Sequence, residues 1–549
     1  MCAQDLSTRP FNLDRSAIDW VDHWSAEFTL QQKIRQLLHV LCRDLSQASL
    51  DEVIAQQVGG AHRMLSRGPE QLRTSATYLQ SRSVVPMLLS GDIELSERFS
   101  IYTALPNQMG IAAAGGDAAL WAARIAAREA RELGFNWAFG PVLDLDLNPA
   151  SAVVNTRSFG SEPEKVAAHG TSWITGIQSE GLAAAGKHWP GDGVDSRDQH
   201  LVTSCNSLEF AQWKRSCGKP FQAAIDAGVL SIMASHIRLD GYETATGRPP
   251  SRLPASLNRA LTQDLLRSEM GFAGLVISDA AQMAGYAALG PPETLLPQTL
   301  LAGCDMILFP EDIDEAVAIL ERSILDGRLP QTRIDQALRR VLATKATLGL
   351  HKRAESWAPA PATEEQRRER QEISRIIAQN SITLIRDDQA MLPLLPSGAR
   401  RLLLFSPSRR ESASGDLPSL VFGDMLREEG FLVETYVPGE PLDVTDFDAA
   451  LYVIGDEAGS AKPRLDMPWA QLHGPFPASM TRLWSKLPTA IISFGTPYYL
   501  HGAPECRTLI NAYSPTVSSQ RAAVDALMGR VPFKGSSPVE VEWRPIFAQ

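Results

Sequence analysis

Seven near-continuous apolar runs punctuate the first two thirds of the chain: VGGAHRML (58–65), VVPMLLSGD (84–92), FNWAFGPVLDLD (135–146), LAAAGKHWPG (182–191), VLSIMASHI (229–237), FAGLVISD (272–279) and GCDMILFP (303–310). Most lack a clean apolar/polar alternation. A strand covered on both faces reads this way, and such strands belong to parallel sheets. Between several runs lie stretches of helical character: Ala112–Glu132, Ala-rich with paired charges, then Pro163–Glu180 and Pro254–Glu269. Strand and helix alternating at this pace predict βα units. Several runs end in charged or hydrogen-bonding groups, namely Asp92, Asp144 with Asp146, Lys187 with His188, His236 and Asp279. An open sheet would spread these groups along an edge. In a (β/α)8 barrel the C-terminal strand ends converge on one mouth, where chemistry occurs. The pattern therefore predicts an α/β fold built on a TIM-like barrel.

A helical stretch, Gln331–Leu348, closes this region. The segment HKRAESWAPAPATEEQ (351–366) that follows is polar, rich in Pro and Ala and without period, and reads as a linker. A charged helix (Arg367–Gln379) then leads into SITLIRD, LLLFSPS, FLVETYVP, DAALYVIGD, TAIISFGTP and TLINAY, short apolar strands at α/β spacing. The expected organisation is a catalytic barrel over 1–350, a linker over 351–368 and a smaller α/β domain over 369–549.

Composition narrows the function classes. The chain has 549 residues, and 52 basic against 63 acidic side chains give a formal charge of −11. Neither nucleic acid nor an anionic membrane is expected as a partner of such a surface. The cysteines are scattered, with no CxxC and no zinc-type spacing, as in proteins of reducing compartments. The segment MCAQDLSTRPFNLDRSAIDW carries no apolar signal core, and no run approaches the ~20 apolar residues that span a bilayer. A cytoplasmic protein, monomer or homodimer, is expected. No cofactor is expected either: no GxGxxG follows a strand, and no Walker sequence is present.

The densest chemistry lies in KHWPGDGVDSRDQH, Lys187 to His200, a segment leaving a strand end. A solvated loop would account for charge density alone. His188, Asp192, Asp198 and His200 also supply nitrogen and oxygen donors suited to a metal, but no second ligand cluster of similar density stands elsewhere, and no metal is expected.

This segment resembles KHFPGHG…D-x-H of glycoside hydrolase family 3, in its β-N-acetylglucosaminidase branch. VLDLD (142–146), RSFGSEPEKVA (157–167), MASHI (233–237), GFAGLVISDAAQM (271–283) and AGCDMIL (302–308) resemble further family segments in the same order. AQNSITLIRDDQAMLPL and AAVDALMGR resemble its second domain, an α/β/α sandwich, so the likeness spans nearly the whole chain. It implies a retaining exo-glycosidase that removes terminal β-linked N-acetylglucosamine through a covalent glycosyl-enzyme. By resemblance Asp279 is the nucleophile, a position at which a lone Asp would otherwise serve as a helix N-cap. Asp198 and His200 form the acid/base pair. In an extended loop side chains i and i+2 point the same way, so the carboxylate can orient the imidazole. Asp92, Arg98, Arg157, Lys187 and His188 are the expected sugar-binding residues, with Asp92 taking a distal hydroxyl pair, O4 and O6. The resemblance further implies cis Lys187–His188 and Trp189–Pro190 bonds.

The chain also departs from the family pattern. The D-x-EGG segment reads Asp92-Ile93-Glu94-Leu95-Ser96, and the stretch to Arg98-Phe99 is shortened. The acidic residue after the nucleophile is Ala280, and the His of PGHG is Asp192. These changes open two alternatives: the same machinery acting on another sugar, as a β-glucosidase or with phosphate as acceptor, and a catalytically silent sugar-binding protein.

Overall fold

The computed structural model describes residues 5–95, 101–352, 358–395, 400–408, 410–412, 415–417, 419–462 and 465–541. They fold as two compact units. The first comprises Met1–Glu94, Ala123–Leu145 and Pro163–Thr363; the second comprises Leu95–Ala122, Asp146–Glu162 and Glu364–Gln549.

The first unit is built on a closed eight-stranded parallel barrel. Its strands are β1 (Leu38–Cys42), β2 (Gly60–Arg63), β3 (Leu88–Gly91), β4 (Trp137–Ala138), β5 (Ala183–Trp189), β6 (Ser231–Ala234), β7 (Leu275–Ala280) and β8 (Met306–Leu308). Neighbours in space are neighbours in sequence, and β8 closes on β1 through Leu38 opposite Ile307 and His39 opposite Leu308. The seven apolar runs supply β2 to β8. The first strand is absent from them because helix Leu30–Gln36 runs into LHVLC with only Leu37 between, so the two periods merge. Thr29 and Gln32 form a reciprocal capping box at the start of that helix.

Two helices differ from expectation. Ala112–Glu132 is two helices, Gln108–Ala114 and Ala118–Glu132. Gly115 and Gly116 between them sit at φ +66° and +52°, a left-handed pair through which a right-handed helix cannot pass. The stretch from Pro254 becomes helical only at Ala260, where the Asn258 side chain accepts from the Ala260 N–H at 2.9 Å. At the N-terminal end of β8 the buried Asp305 carboxylate binds Arg267, Arg333 (3.0 Å) and Arg340 (3.2 Å). These three arginines tie two outer helices to the closed, structural end of the barrel.

In the second unit a six-stranded sheet contains β9 (Thr383–Asp387), β10 (Arg401–Phe405), β11 (Leu432–Thr435), β12 (Ala449–Ile454), β13 (Thr489–Ser493) and β14 (Thr508–Asn511), in the order β9-β14-β13-β12-β10-β11. Only β9 runs antiparallel to its neighbour. Alternate residues of β10 enter different cores. Leu402 and Leu404 pack with Phe422, Leu426 and Ala522, whereas Leu403 and Phe405 pack with Tyr452, Leu472 and Tyr499. A sheet with a core on each face is an α/β/α sandwich. Its main segment opens with helix Glu364–Ser381. Among the described residues no helix is long and apolar enough to cross a membrane.

Candidate active site

The C-terminal strand ends of the barrel carry the polar groups that the sequence placed there. Asp279, the fifth residue of β7, is 8% exposed. The Ser235 hydroxyl donates to its Oδ2 at 2.9 Å and the Ala280 N–H to its Oδ1 at 2.9 Å. Burial alone would raise this carboxyl. The imidazoles of His236, His188 and His200 outweigh burial and, with the Ala280 N–H, bring its pKa down to about 2. Asp279 is therefore an anion at any neutral pH, and among the described residues no lysine or arginine pairs with it.

His236 follows β6. Its Nδ1 lies 2.9 Å from Ser256 Oγ and its Nε2 3.0 Å from Ala280 O. Burial keeps its pKa below the ordinary histidine value, against the pull of Asp279 and the Ala280 carbonyl. Its side chain faces the backbone carbonyl of Ala280, the residue after Asp279.

His200 sits on the loop after β5. Asp198 Oδ1 lies 2.6 Å from His200 Nδ1 and also accepts from the His200 backbone N–H at 2.8 Å, so the pair is one local unit. This loop is anchored. Ala284 N–H donates to His200 O at 2.9 Å, Thr203 Oγ1 donates to Gly285 O at 2.7 Å, and Gln199 Oε1 accepts from His236 N–H at 3.0 Å. All three partners lie just beyond β6 or β7, which is why the His200 imidazole acts on Asp279. The close approach depends on Gly285, where an added Cβ would sit 2.3 Å from Gln199 O.

Opposite in character is the group formed by β2, β3 and β5. Lys187, 3% exposed, lies 2.5 Å from Glu94 Oε1 and 3.3 Å from Asp92 Oδ1. Asp92, whose side chain is a third exposed, also faces His62 Nε2 at 3.6 Å. His188 is clamped by Asp144, with Nδ1 at 2.6 Å from Oδ2 and the backbone N–H at 3.1 Å from Oδ1; the Asp192 N–H joins the same Oδ1 at 2.8 Å. The Lys187–His188 and Trp189–Pro190 bonds are both cis. Among the described residues no group of three or more His, Cys, Asp and Glu side chains is set to hold a metal ion.

The first unit thus brings together Asp92, Lys187, His188, Asp198, His200 and Asp279. Arg157 belongs to the second unit, in the short turn Asn155–Arg157, where its Nη1 donates to Val153 O at 2.9 Å. Arg98 lies outside the described residues. Asp146 is separated from Asp144 in role: it belongs to the second unit and accepts from the Tyr498 hydroxyl at 2.9 Å. Sequence reasoning did not single out His62, Ser90 or Ser235. The signal was a polar residue inside an otherwise apolar barrel strand, which points into the barrel or against its mouth.

The family model for the glycosyl hydrolase family 3 N-terminal domain matches residues 29–344. The chain belongs to glycosyl hydrolase family 3. Among family relatives, a β-N-acetylglucosaminidase/β-glucosidase of Cellulomonas fimi is 36% identical over 98% of both chains. Among solved structures, the β-glucoside phosphorylase BglX bound to 2FGlc superposes with a TM-score of 0.88 at 29% identity, covering 97% of this chain and 98% of that one. A family 3 β-N-acetylglucosaminidase from Paenibacillus sp. str. FPU-7 gives 0.80 at 26% identity, covering 94% and 99%. Membership agrees with the barrel, the sandwich and the order of segments from Asp92 to Asp305.

Proposed function

We propose that this family 3 enzyme is a retaining exo-β-N-acetylglucosaminidase that also accepts β-glucosides, with Asp279 as nucleophile and His200, oriented by Asp198, as acid/base. The observation that carries this reading is the buried, ionised Asp279 carboxylate at the end of β7, lying within the field of the anchored His200 imidazole. The Cellulomonas fimi relative, named for both activities and matched end to end, supports the substrate class.

In the first step Asp279 Oδ attacks the anomeric carbon while the His200 Nε2 proton passes to the glycosidic oxygen, and the aglycone leaves as an alcohol. In the second step His200 takes a proton from water, whose oxygen displaces Asp279, and the sugar departs with its configuration retained. Asp198 at Nδ1 orients the ring and stabilises the imidazolium that precedes the first step and is regenerated by the second. Asp92, Lys187 and His188 hold the hydroxyls of the terminal sugar, and Arg157 and Arg98 are assigned to the same task. The described cysteines, Cys42, Cys205, Cys217, Cys304 and Cys506, carry free thiols, in keeping with work in the reducing cytoplasm.

A 2-deoxy-2-fluoro glycosyl fluoride in the gluco series, followed by peptide mapping, tests the nucleophile. Label on the peptide carrying Asp279 is expected, and label elsewhere overturns the assignment. Turnover of 4-nitrophenyl β-N-acetylglucosaminide and β-glucoside sets the sugar preference. A second reading, phosphorolysis, is favoured by the likeness to the phosphorylase BglX and by the imidazole, which repels an incoming phosphate less than a carboxylate would. Sugar 1-phosphate formed in the presence of inorganic phosphate decides for it, and free sugar alone decides against it.

A further inference from the structure

A buried polar chain runs behind the sugar-binding side of the barrel. His39 Nε2 lies 2.8 Å from Ser90 Oγ, and the same oxygen lies 3.0 Å from His62 Nδ1. His62 Nε2 then faces Asp92 Oδ2 at 3.6 Å. His39, Ser90 and His62 are 0, 0 and 3% exposed. His62 is stacked on Phe139 (ring centroids 5.3–5.4 Å from it on both sides, with Phe309 edge-on), so its ring plane is fixed.

The protons in this chain have one good arrangement. Ser90 has a single hydroxyl proton and two histidine neighbours. If it donated to His39, His39 would carry its own proton on Nδ1, which is buried and has no hydrogen-bond partner. His62 would then be protonated on Nδ1 and would turn a bare Nε2 lone pair towards the Asp92 carboxylate. An orphaned buried N–H and a lone pair against an anion are both costly. If Ser90 donates to His62 instead, both faults vanish. His39 Nε2–H donates to Ser90, Ser90 donates to His62 Nδ1, and His62 Nε2–H points at Asp92. Burial keeps His62 neutral, with Lys187 and Arg63 adding to it and Asp92 opposing.

We propose that His62 is a positioning residue of the sugar pocket: its Nε2–H, aimed by Ser90 and His39, fixes the orientation in which Asp92 meets the distal hydroxyls of the terminal sugar. Lys187, 3.3 Å from Oδ1, and His62, 3.6 Å from Oδ2, flank the carboxylate while a third of its side chain stays open to substrate. The inference rests on the reading of Asp92 as the hydroxyl acceptor given above.

The test compares kcat/KM for 4-nitrophenyl β-N-acetylglucosaminide with that for its 4-deoxy and 6-deoxy analogues. In His62→Phe, which keeps the aromatic stack, a fall of about 10- to 100-fold is expected on the parent sugar, carried by KM, with less than about 3-fold on the analogue lacking the hydroxyl that Asp92 binds. His62→Gln restores an N–H donor and is expected to recover most of the loss. Ser90→Ala, a smaller change that guards against misfolding of the first variant, is expected to fall about 3- to 10-fold in the same sense. Equal losses on parent and analogues overturn the positioning role. Asp92→Ala separates the two levels. If it loses discrimination between parent and analogues while the histidine variants keep it, only this inference fails. If Asp92→Ala lowers all substrates alike, the reading of Asp92 fails and the inference with it.

Discussion

Two walls of one barrel mouth treat their carboxylates in opposite ways. On the β6–β7 side Asp279 stands among imidazoles, a serine hydroxyl and a backbone N–H, and among the described residues it meets no ammonium or guanidinium. On the β2–β3–β5 side Asp92 and Glu94 share the buried ammonium of Lys187. A full cation in direct contact would lower the nucleophilicity of a carboxylate and would have to leave before a bond forms. Imidazoles and dipoles keep the anion charged while leaving its lone pairs open to carbon. On the second wall the charges neutralise each other, which suits a surface that stays in place.

The largest break in this contrast is Asp279→Ala. A loss of about four to six orders of magnitude in kcat is expected, read with the chromogenic substrates. A loss under tenfold would place the nucleophile elsewhere. His200→Ala should cost about 10²- to 10⁴-fold in kcat, and less for substrates with a good leaving group, whose departure needs little protonation. A uniform loss across leaving groups would remove His200 from proton transfer. On the other wall Lys187→Met removes the buried ammonium that Glu94 and Asp92 share. The expected result is destabilisation by roughly 3–5 kcal/mol in denaturant unfolding, in addition to weaker sugar binding. An unchanged midpoint would mean that the two carboxylates need no shared cation.

The smallest effect tests the imidazole field itself. Asp279 is held at about 2, so it stays ionised from pH 4 upward, and loss of activity on the acid side above that point is not its protonation. Removing the His236 ring in His236→Gln takes away the largest of the contributions that oppose burial. The carboxyl pKa then rises, and activity falls as pH drops through the raised value, at a pH where wild type stays active. A kcat/KM profile superimposable on wild type would show that the other two imidazoles suffice.

Much of this arrangement was legible from the residues. Apolar runs covered on both faces revealed seven of eight barrel strands, and the polar groups closing them marked the mouth. The i, i+2 spacing of Asp198 and His200 predicted a single unit, which the 2.6 Å contact realises. The hidden parts have physical causes. The first strand follows a helix with no turn residue between them, so no punctuation separates the two. The Gly115–Gly116 break lies inside an Ala-rich stretch whose helical period is otherwise intact on both sides. Glu94 registered only as a remnant of a changed glycine-rich segment, because its partner Lys187 lies 93 positions away in the chain. Asp144 and Asp146 read as one cluster, yet side by side in sequence they divide between the two units, one clamping His188 and the other meeting Tyr498. Pairings of that kind join residues distant in the chain and leave no local trace.

The missing side chain at Gly285 has a consequence for any relative of this enzyme. A methyl group there would collide with the Gln199 carbonyl and lift the whole 198–203 turn away from β7. Such a protein would keep its aspartates and histidines unaltered and still lose the placement of the Asp198–His200 pair against β7. Whether a homologue is active can therefore depend on a position that performs no chemistry, and an inventory of reactive residues would pass over it.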